Sequence, residues 1–314
     1  MNEDLIPMPN LYDNHLRIGK EASLKGEHEI ASEHFEAAYD LKDTFEANFL
    51  WSESLYALKA VKESYEVLRE KETEYKTCPE ALDHYFNVLL KLQYHVKLES
   101  LLGSLGDEEE PLYRERYQHV LDYLDVMEKP RIEEIKQRVL GIAAATPREQ
   151  VMIVKEAAKL PRIYLEEVCV TLLGDRRILG MVNAQLLDYL VLMGSDKAYD
   201  VCDITGSIRT VQPSKLRPLN KATPLNPVYQ EVLERVERKE PNLYEGIKEV
   251  MRLHVGCLYP FDQELMQPTE EWVASYLLHY GIGIETDNWE DNMDGVMRIQ
   301  ALVEQEVMRL MTNH

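Results

Sequence analysis

Three residues towards the C-terminal end of the chain, His254, Cys257 and Asp262, form the tightest grouping of side chains that could support nucleophilic or metal chemistry. A helix would place His254 and Cys257, three residues apart, on one face. A cysteine nucleophile needs an oriented base and an electropositive setting that lowers the pKa of its thiol. The surrounding sequence is acidic instead. We therefore expect structural packing here, and an enzyme or metal protein that uses the C-terminal helical region is the alternative.

A second segment carries part of a calcium-binding pattern. Glu290, Asn292 and Asp294, followed by Gly295, are spaced like the start of an EF-hand loop. That loop needs a bidentate Glu at its twelfth position, where this chain has Ala301. The acids therefore favour a helix start, where they interact well with the helix dipole. Since the chain also has no phosphate-binding, G-x-S-x-G or H-E-x-x-H motif, we expect no catalytic residue, no cofactor and no metal.

The charge of the chain limits its partners. Its 314 residues include 35 Lys and Arg and 56 Asp and Glu, for a net charge of −21 at pH 7. Residues 1–113 carry −13, residues 114–223 carry +2 and residues 224–314 carry −10. General binding to nucleic acid or to anionic membranes requires Lys and Arg clusters. We therefore expect neither nucleic acid nor a membrane as a partner, and an acidic surface suits a basic one.

The cysteines and the N-terminal sequence favour a cytoplasmic protein. Cys78, Cys169, Cys202 and Cys257 form no C-x-x-C pair, so neither a disulfide framework nor a cysteine-based zinc site is expected. The N-terminal residues are acidic and have no apolar core of a secretion signal. No stretch of 18 apolar residues is present to span a bilayer.

The first helices that could position a site lie in a 34-residue unit at 12–45. Its apolar and small residues fit two helices broken at a glycine, and they fill six fixed positions: Ile18, Gly19, Gly26, Ala31, Phe35 and Ala38. The small residues allow two helices to approach closely, and the aromatic residue fills the space beside them. This pattern resembles the tetratricopeptide repeat (TPR), in particular TPR-like proteins of Gram-positive bacteria that have not been characterised.

The following units fit the repeat less well. A repeat that starts at Phe45 places Ser52 and Ser64 at the small positions 8 and 20, and Leu68 at the aromatic position 24. A third hairpin at 79–105 has the helical period without the small residues. Such decay is common in terminal repeats. The resemblance implies an all-α, TPR-like superhelix.

The remainder reads as further helix pairs, one β-hairpin and a helical end. We divide the chain into 1–112 with degenerate TPR-like repeats, 113–197 with helix pairs resembling HEAT repeats, and 198–314. The last part contains a β-hairpin at 198–211, where a Thr-Gly-Ser turn separates two β-branched runs. A proline-rich linker at 212–227 and a C-terminal helical domain follow.

The resemblance implies a concave groove formed by the first helix of each repeat. The family positions that face it fall on Leu16, Lys20, Leu24, Phe49, Glu53 and Tyr56. TPR domains that clamp an acidic peptide end need Lys and Asn at two of these positions, and this chain lacks that pair. We therefore predict a non-catalytic scaffold that binds a protein or peptide segment with Lys or Arg beside an apolar anchor.

A structural homo-oligomer is the remaining alternative. In that case the repeats of one copy would bind the slightly basic middle segment of another. The candidate basic residues are Arg131, Lys136, Arg138, Arg176 and Arg177. The sequence does not identify the partner or the oligomeric state.

Overall fold

The computed structural model describes residues 11–283 and 293–311. The chain forms two compact units, Met1–Leu105 and Gly106–His314. The first unit ends close to the predicted boundary after residue 112, in the Gly- and acid-rich loop. The predicted boundary after residue 197 stays a prediction. Over residues 12–193 the regular elements are helices, as the sequence predicts.

The first unit contains seven helices within the described residues. They are α1 (Leu11–Leu24), α2 (His28–Leu41), α3 (Phe45–Ala57), α4 (Val61–Leu68), α5 (Glu72–Tyr75), α6 (Pro79–Leu92) and α7 (His95–Leu102). Three hairpins, α1–α2, α3–α4 and α6–α7, follow one another, and α5 is a short turn between the second and third. This arrangement confirms the prediction of a helical-repeat solenoid.

The first hairpin closes by steric fit. Gly19 of α1 lies against the ring of Phe35 of α2 so closely that a Cβ on Gly19 would lie 2.6 Å from the ring. Ala31 and Ala38 are fully buried beside Phe35. Gly26 forms the turn with a φ of +76°, which a residue with a side chain rarely adopts. The small and aromatic positions that define the TPR resemblance therefore meet in space.

The second hairpin closes by hydrogen bonds. Ser52 of α3 and Ser64 of α4 are both fully buried, and their Oγ atoms lie 2.9 Å apart. The Ser64 hydroxyl donates to the Ser52 carbonyl at 2.8 Å. Thr44 begins α3 by accepting a hydrogen bond from the amide of Ala47. The repeat that starts at Phe45 thus has its two small positions in contact, as the sequence predicts.

The second unit begins with helix pairs and continues with a β-hairpin and further helices. Its elements are α8 (Glu110–Met127), α9 (Lys129–Leu140), α10 (Pro147–Ala157), α11 (Arg162–Leu172), α12 (Gly180–Leu192), β1 (Tyr199–Cys202), β2 (Ile208–Val211), α13 (Leu219–Ala222), α14 (Pro227–Lys239), α15 (Tyr244–Leu258), α16 (Asp262–Leu265), α17 (Thr269–His279) and α18 (Met293–Met311). Helix α9 packs on α10 and α11, and both of these pack on α12.

Local signals set several of these boundaries. Thr146 and Glu149 form the N-terminal cap of α10, because each side chain bonds to the backbone of the other residue. The predicted β-hairpin is present, with Tyr199 paired to Val211 in antiparallel register. Asp203 holds its turn by accepting from the amides of Thr205 and Ser207. The inner face of β1 is buried on α11 and α12, which a two-stranded sheet requires.

The proline-rich segment at 212–227 is not a free linker. It contains α13, and the amide of Leu219 donates to Asp188 of α12 at 2.7 Å. The Tyr259 hydroxyl donates to the carbonyl of Arg217 at 2.7 Å. Side chains from outside the segment thus bond two of its backbone groups, one from α12 and one from Tyr259. The segment is therefore packed against its neighbours, and its role as a linker between domains stays a prediction.

The C-terminal helices surround one hydrophobic core. Buried side chains of α14, α15, α17 and α18 form it, among them Val232, Met251, Trp272, Leu277 and Val303. The helix start that the acids of the calcium-like pattern favour is followed by α18, whose described part starts at Met293. The first two residues of the calcium-like pattern, Glu290 and Asn292, lie outside the described residues. None of the helices in the described ranges is both long and apolar enough to cross a bilayer.

Candidate protein-interaction surface

The predicted groove residues do not share one environment. Leu16 is only 7% exposed and belongs to the core of the first hairpin with Ala22 and Phe35. Its placement in the groove is therefore corrected. Leu16 is three residues from Gly19 and six from Ala22, so it lies on the α1 face that packs on α2. Leu24, at the end of α1, is 89% exposed and is fully available to a partner.

Lys20 connects two successive first helices. Its ammonium group lies 2.6 Å from the Glu46 carboxylate of α3, and both side chains are about half exposed. The contact supports the prediction that Lys20 lies on the side shared by α1 and α3. It also neutralises the single cation among the predicted groove residues. Glu46 therefore matters for the charge of this surface, although it is not among the predicted groove residues.

Phe49 and Tyr56 belong to an aromatic cluster centred on His84 of α6. The His84 ring lies 5.9 Å from the ring of Phe49 and 5.5 Å from that of Tyr56, both edge-on. Phe45 and Tyr75 complete the cluster around Phe49. Phe49 and Tyr56 remain half-buried rather than buried. They therefore support the fold and present only part of their surface to a partner.

A buried polar network holds this cluster in place. His84 Nε2 lies 2.8 Å from Ser52 Oγ, so the third hairpin bonds directly to the serine pair of the second. The Tyr75 hydroxyl donates to Asn48 at 2.9 Å, and the Asn48 amide donates to the carbonyl of Val67 at 2.8 Å. Burial lowers the pKa of His84 to about 4, so its imidazole is neutral at pH 7. The sequence offered no helix-spacing partner for His84, because its partners come from other helices.

Two carboxylates on α3 and α6 are close enough to influence each other. Burial in this crowded region raises the pKa of Glu53, and the charge of Glu80 raises it further. Both side chains keep more than a third of their surface exposed. Glu46 already neutralises Lys20. The excess negative charge of this region therefore comes from Glu53 and Glu80. We call the set Lys20, Leu24, Phe49, Glu53, Tyr56 and Glu80 the first-helix surface, because it lies on α1, α3 and α6.

The alternative catalytic pair is not assembled. His254 Nδ1 lies 2.8 Å from the Tyr276 hydroxyl, and burial lowers the pKa of His254 to about 4. The Cys257 thiol is buried beside Glu306. Burial and the charge of this carboxylate both raise the pKa of the thiol, which suppresses the thiolate. The carbonyl of Cys257 lies so close to Gly180 that a Cβ on Gly180 would be 2.6 Å away. Among the described residues, no group of three or more His, Cys, Asp or Glu side chains could hold a metal ion.

Most basic residues proposed for self-association already pair within their own chain. Arg131 contacts Glu128 at 2.9 Å, and Lys136 contacts Glu167 at 2.5 Å. Arg138 contacts Glu156 at 3.1 Å. Arg177 contacts Asp175 at 2.6 Å. A second copy that used these cations would have to compete with the internal carboxylates.

The hairpins and the first-helix surface define a helical-repeat protein whose N-terminal hairpins are TPR-like. The chain is 24% identical over 307 residues to the TPR repeat-containing protein YsoA of Bacillus subtilis (strain 168), and the similarity covers 91% of this chain and 90% of that protein. The resemblance to TPR-like proteins of Gram-positive bacteria is thereby confirmed. No protein-family model and no solved structure matches the chain. Similarity to a TPR protein supports a role as a protein-interaction scaffold.

Proposed function

We propose that this protein is a non-catalytic scaffold of the cytoplasm that binds a peptide segment of another protein on its first-helix surface. The segment carries Lys or Arg beside an apolar anchor. In this proposal the charge steers the encounter and the apolar contacts slow dissociation.

The observation that carries the proposal is the excess of negative charge next to partly exposed aromatic rings. Lys20 is neutralised by Glu46 at 2.6 Å, whereas burial and the charge of Glu80 both raise the pKa of Glu53 and so make its ionisation more costly. A cation bound between them would relieve that cost. Tyr56 lies on the same helix as Glu53, one turn away, and offers an apolar wall to the neighbouring side chain of the segment.

Panning of a random peptide display library on the full chain tests this proposal. We expect enrichment of peptides that have Lys or Arg next to Leu, Ile or Phe. Binding of the enriched peptides should weaken about 3- to 10-fold in the Glu53→Gln/Glu80→Gln variant, since exposed ion pairs contribute about 0.2–1 kcal/mol each. The effect should shrink as salt is raised from 0.05 to 0.5 M.

A matched control is available on α2, where Glu29 and Glu33 are also exposed. The Glu29→Gln/Glu33→Gln variant should bind the peptides as the parent does. Leu24→Ala should speed dissociation, whereas Ile30→Ala on α2 should not. Acidic peptides in the enriched pool, or equal losses in both double variants, would contradict the proposed surface. If no peptide is enriched and the chain sediments as a dimer, the homo-oligomer replaces this proposal.

A further inference from the structure

The second unit contains a cavity that the scaffold role does not use. It has a volume of about 580 Å³ and lies between α15, α17 and α18. Sites for small organic ligands are typically about 300–1,000 Å³ and mostly apolar, with a few polar groups. This cavity fits that description, since Val250, Ala301, Val307 and Met308 form apolar walls. The cavity is therefore large enough to hold a small organic molecule.

Four aromatic rings line one part of the cavity: His254, Tyr276, His279 and Tyr280. The rings of His254 and Tyr276 are 5.7 Å apart, and those of His279 and Tyr280 are 5.0 Å apart with a perpendicular arrangement. The faces of aromatic rings carry partial negative charge and attract cations within about 6 Å. Tyr276 is only 1% exposed and His254 only 6%, so these two rings back the cavity, and half-buried Tyr280 is the ring that can meet a cation.

The charge of the lining agrees with this arrangement. Glu304 of α18 provides a half-buried carboxylate at the cavity, and none of the described lining residues is Lys or Arg. Burial lowers the pKa of His254 to about 4, so this imidazole stays neutral at pH 7 and does not repel a cation. An anion such as a phosphate or a carboxylate would meet Glu304 with no Lys or Arg among the described lining residues to offset it, and exposed His279 is the other basic side chain there besides His254. The lining therefore selects for a positively charged ligand.

The walls are held in place before any ligand binds. The hydrogen bond between His254 Nδ1 and the Tyr276 hydroxyl, at 2.8 Å, fixes these two rings at the back of the cavity. The Ser275 hydroxyl donates to Gln300 and so connects α17 to α18 beside the cavity. A site with fixed walls loses less conformational entropy on binding than a site that must be ordered by its ligand.

We propose that this cavity binds a free small organic ammonium ion, with the ammonium group over the ring of Tyr280 and beside Glu304. This site is independent of the first-helix surface, since each lies in a different unit of the chain.

The test uses choline and its uncharged isostere 3,3-dimethylbutan-1-ol as probes, with binding to the full chain measured by NMR titration. The two probes have the same shape, so their difference reports the positive charge. We expect choline to bind at least ten times more tightly than the isostere. Glu304→Gln should weaken choline binding about 3- to 10-fold. Glu237→Gln, on an exposed position of α14 that does not line the cavity, should leave it unchanged.

Tyr280 provides a second arm that separates ring recognition from folding. Tyr280→Phe keeps the ring and should keep choline binding, whereas Tyr280→Leu should reduce it to the level of the isostere. If Tyr280→Leu unfolds, the Glu304→Gln comparison decides. Equal binding of choline and isostere, or unchanged binding in Glu304→Gln, would overturn the proposal. A short peptide with trimethyllysine that binds more than ten times as tightly as choline would overturn the assignment to a free small molecule.

Discussion

Replacing Gly19 by Ala tests whether the first hairpin closes by steric fit. The added Cβ would lie 2.6, 2.8 and 3.0 Å from three atoms of the Phe35 ring, whereas ordinary contacts begin near 3.4 Å. The ring must therefore move by roughly 0.8 Å, and it is 1% exposed and surrounded by packed side chains. Overpacking of this kind costs about 1–3 kcal/mol. The helix preference of Ala over Gly returns about 1 kcal/mol. We expect a net loss of about 1 kcal/mol.

Hydrogen exchange of α1 and α2, followed by mass spectrometry, measures this loss in the full chain, because it reports the stability of one hairpin. Gly246→Ala is the matched control, since Gly246 lies in α15 with no atom within 4 Å of its added Cβ. That variant should gain about 0.5–1 kcal/mol. A Gly19→Ala variant combined with Phe35→Leu should recover part of the loss. Protection of α1 and α2 in Gly19→Ala that equals or exceeds the parent's would refute the steric argument.

Two further predictions concern protonation and helix capping. Burial lowers the pKa values of His84, His95 and His254 to about 4, while the unfolded chain protonates them near 6.5. The free energy of unfolding should therefore be highest above pH 6.5 and fall as the pH drops towards 4, because the unfolded state then binds more protons. An NMR titration in which these imidazoles titrate near pH 6.5 in the folded protein would contradict this prediction. Thr146→Ala should lower the stability of α10 by about 1 kcal/mol, since it removes the cap that Thr146 forms with Glu149. Hydrogen exchange in the first turn of α10 measures this effect, and unchanged protection there would show that the cap is dispensable.

The sequence predicted those parts of the fold that depend on local spacing. Gly19, Ala31 and Phe35 define the first hairpin because their spacing encodes a close helix contact, and that contact is present. The cap that Thr146 and Glu149 form at α10 is local in the same way, since the two residues are three apart in the sequence. Leu16 was assigned to the groove from its place in the repeat, although its three-residue spacing from Gly19 already indicates the packed face.

The other parts of the fold and of the candidate surface depend on contacts between residues that are distant in sequence. His84 bonds to Ser52 across 32 residues, and Lys20 pairs with Glu46 across 26. Neither contact has a helical spacing, so no periodic pattern reports it. The cavity in the second unit likewise combines α15, α17 and α18, whose side chains converge only after packing. The composition indicates an acidic protein, but it does not show which carboxylates lie away from a cation in the folded chain.

The serine contact of the second hairpin limits how this series of helical hairpins can change its length. A repeat that closes by a generic fit of small and large side chains can be duplicated beside any similar neighbour. Ser52 instead shares hydrogen bonds with Ser64 in its own hairpin and with His84 in the next. A copy of the first hairpin inserted after the second would place the equivalent of Gly19 where Ser52 now contacts His84 and leave a buried imidazole without its hydrogen bond, at a cost of about 1–3 kcal/mol. A hairpin placed directly before the third must therefore supply a hydroxyl at the position of Ser52.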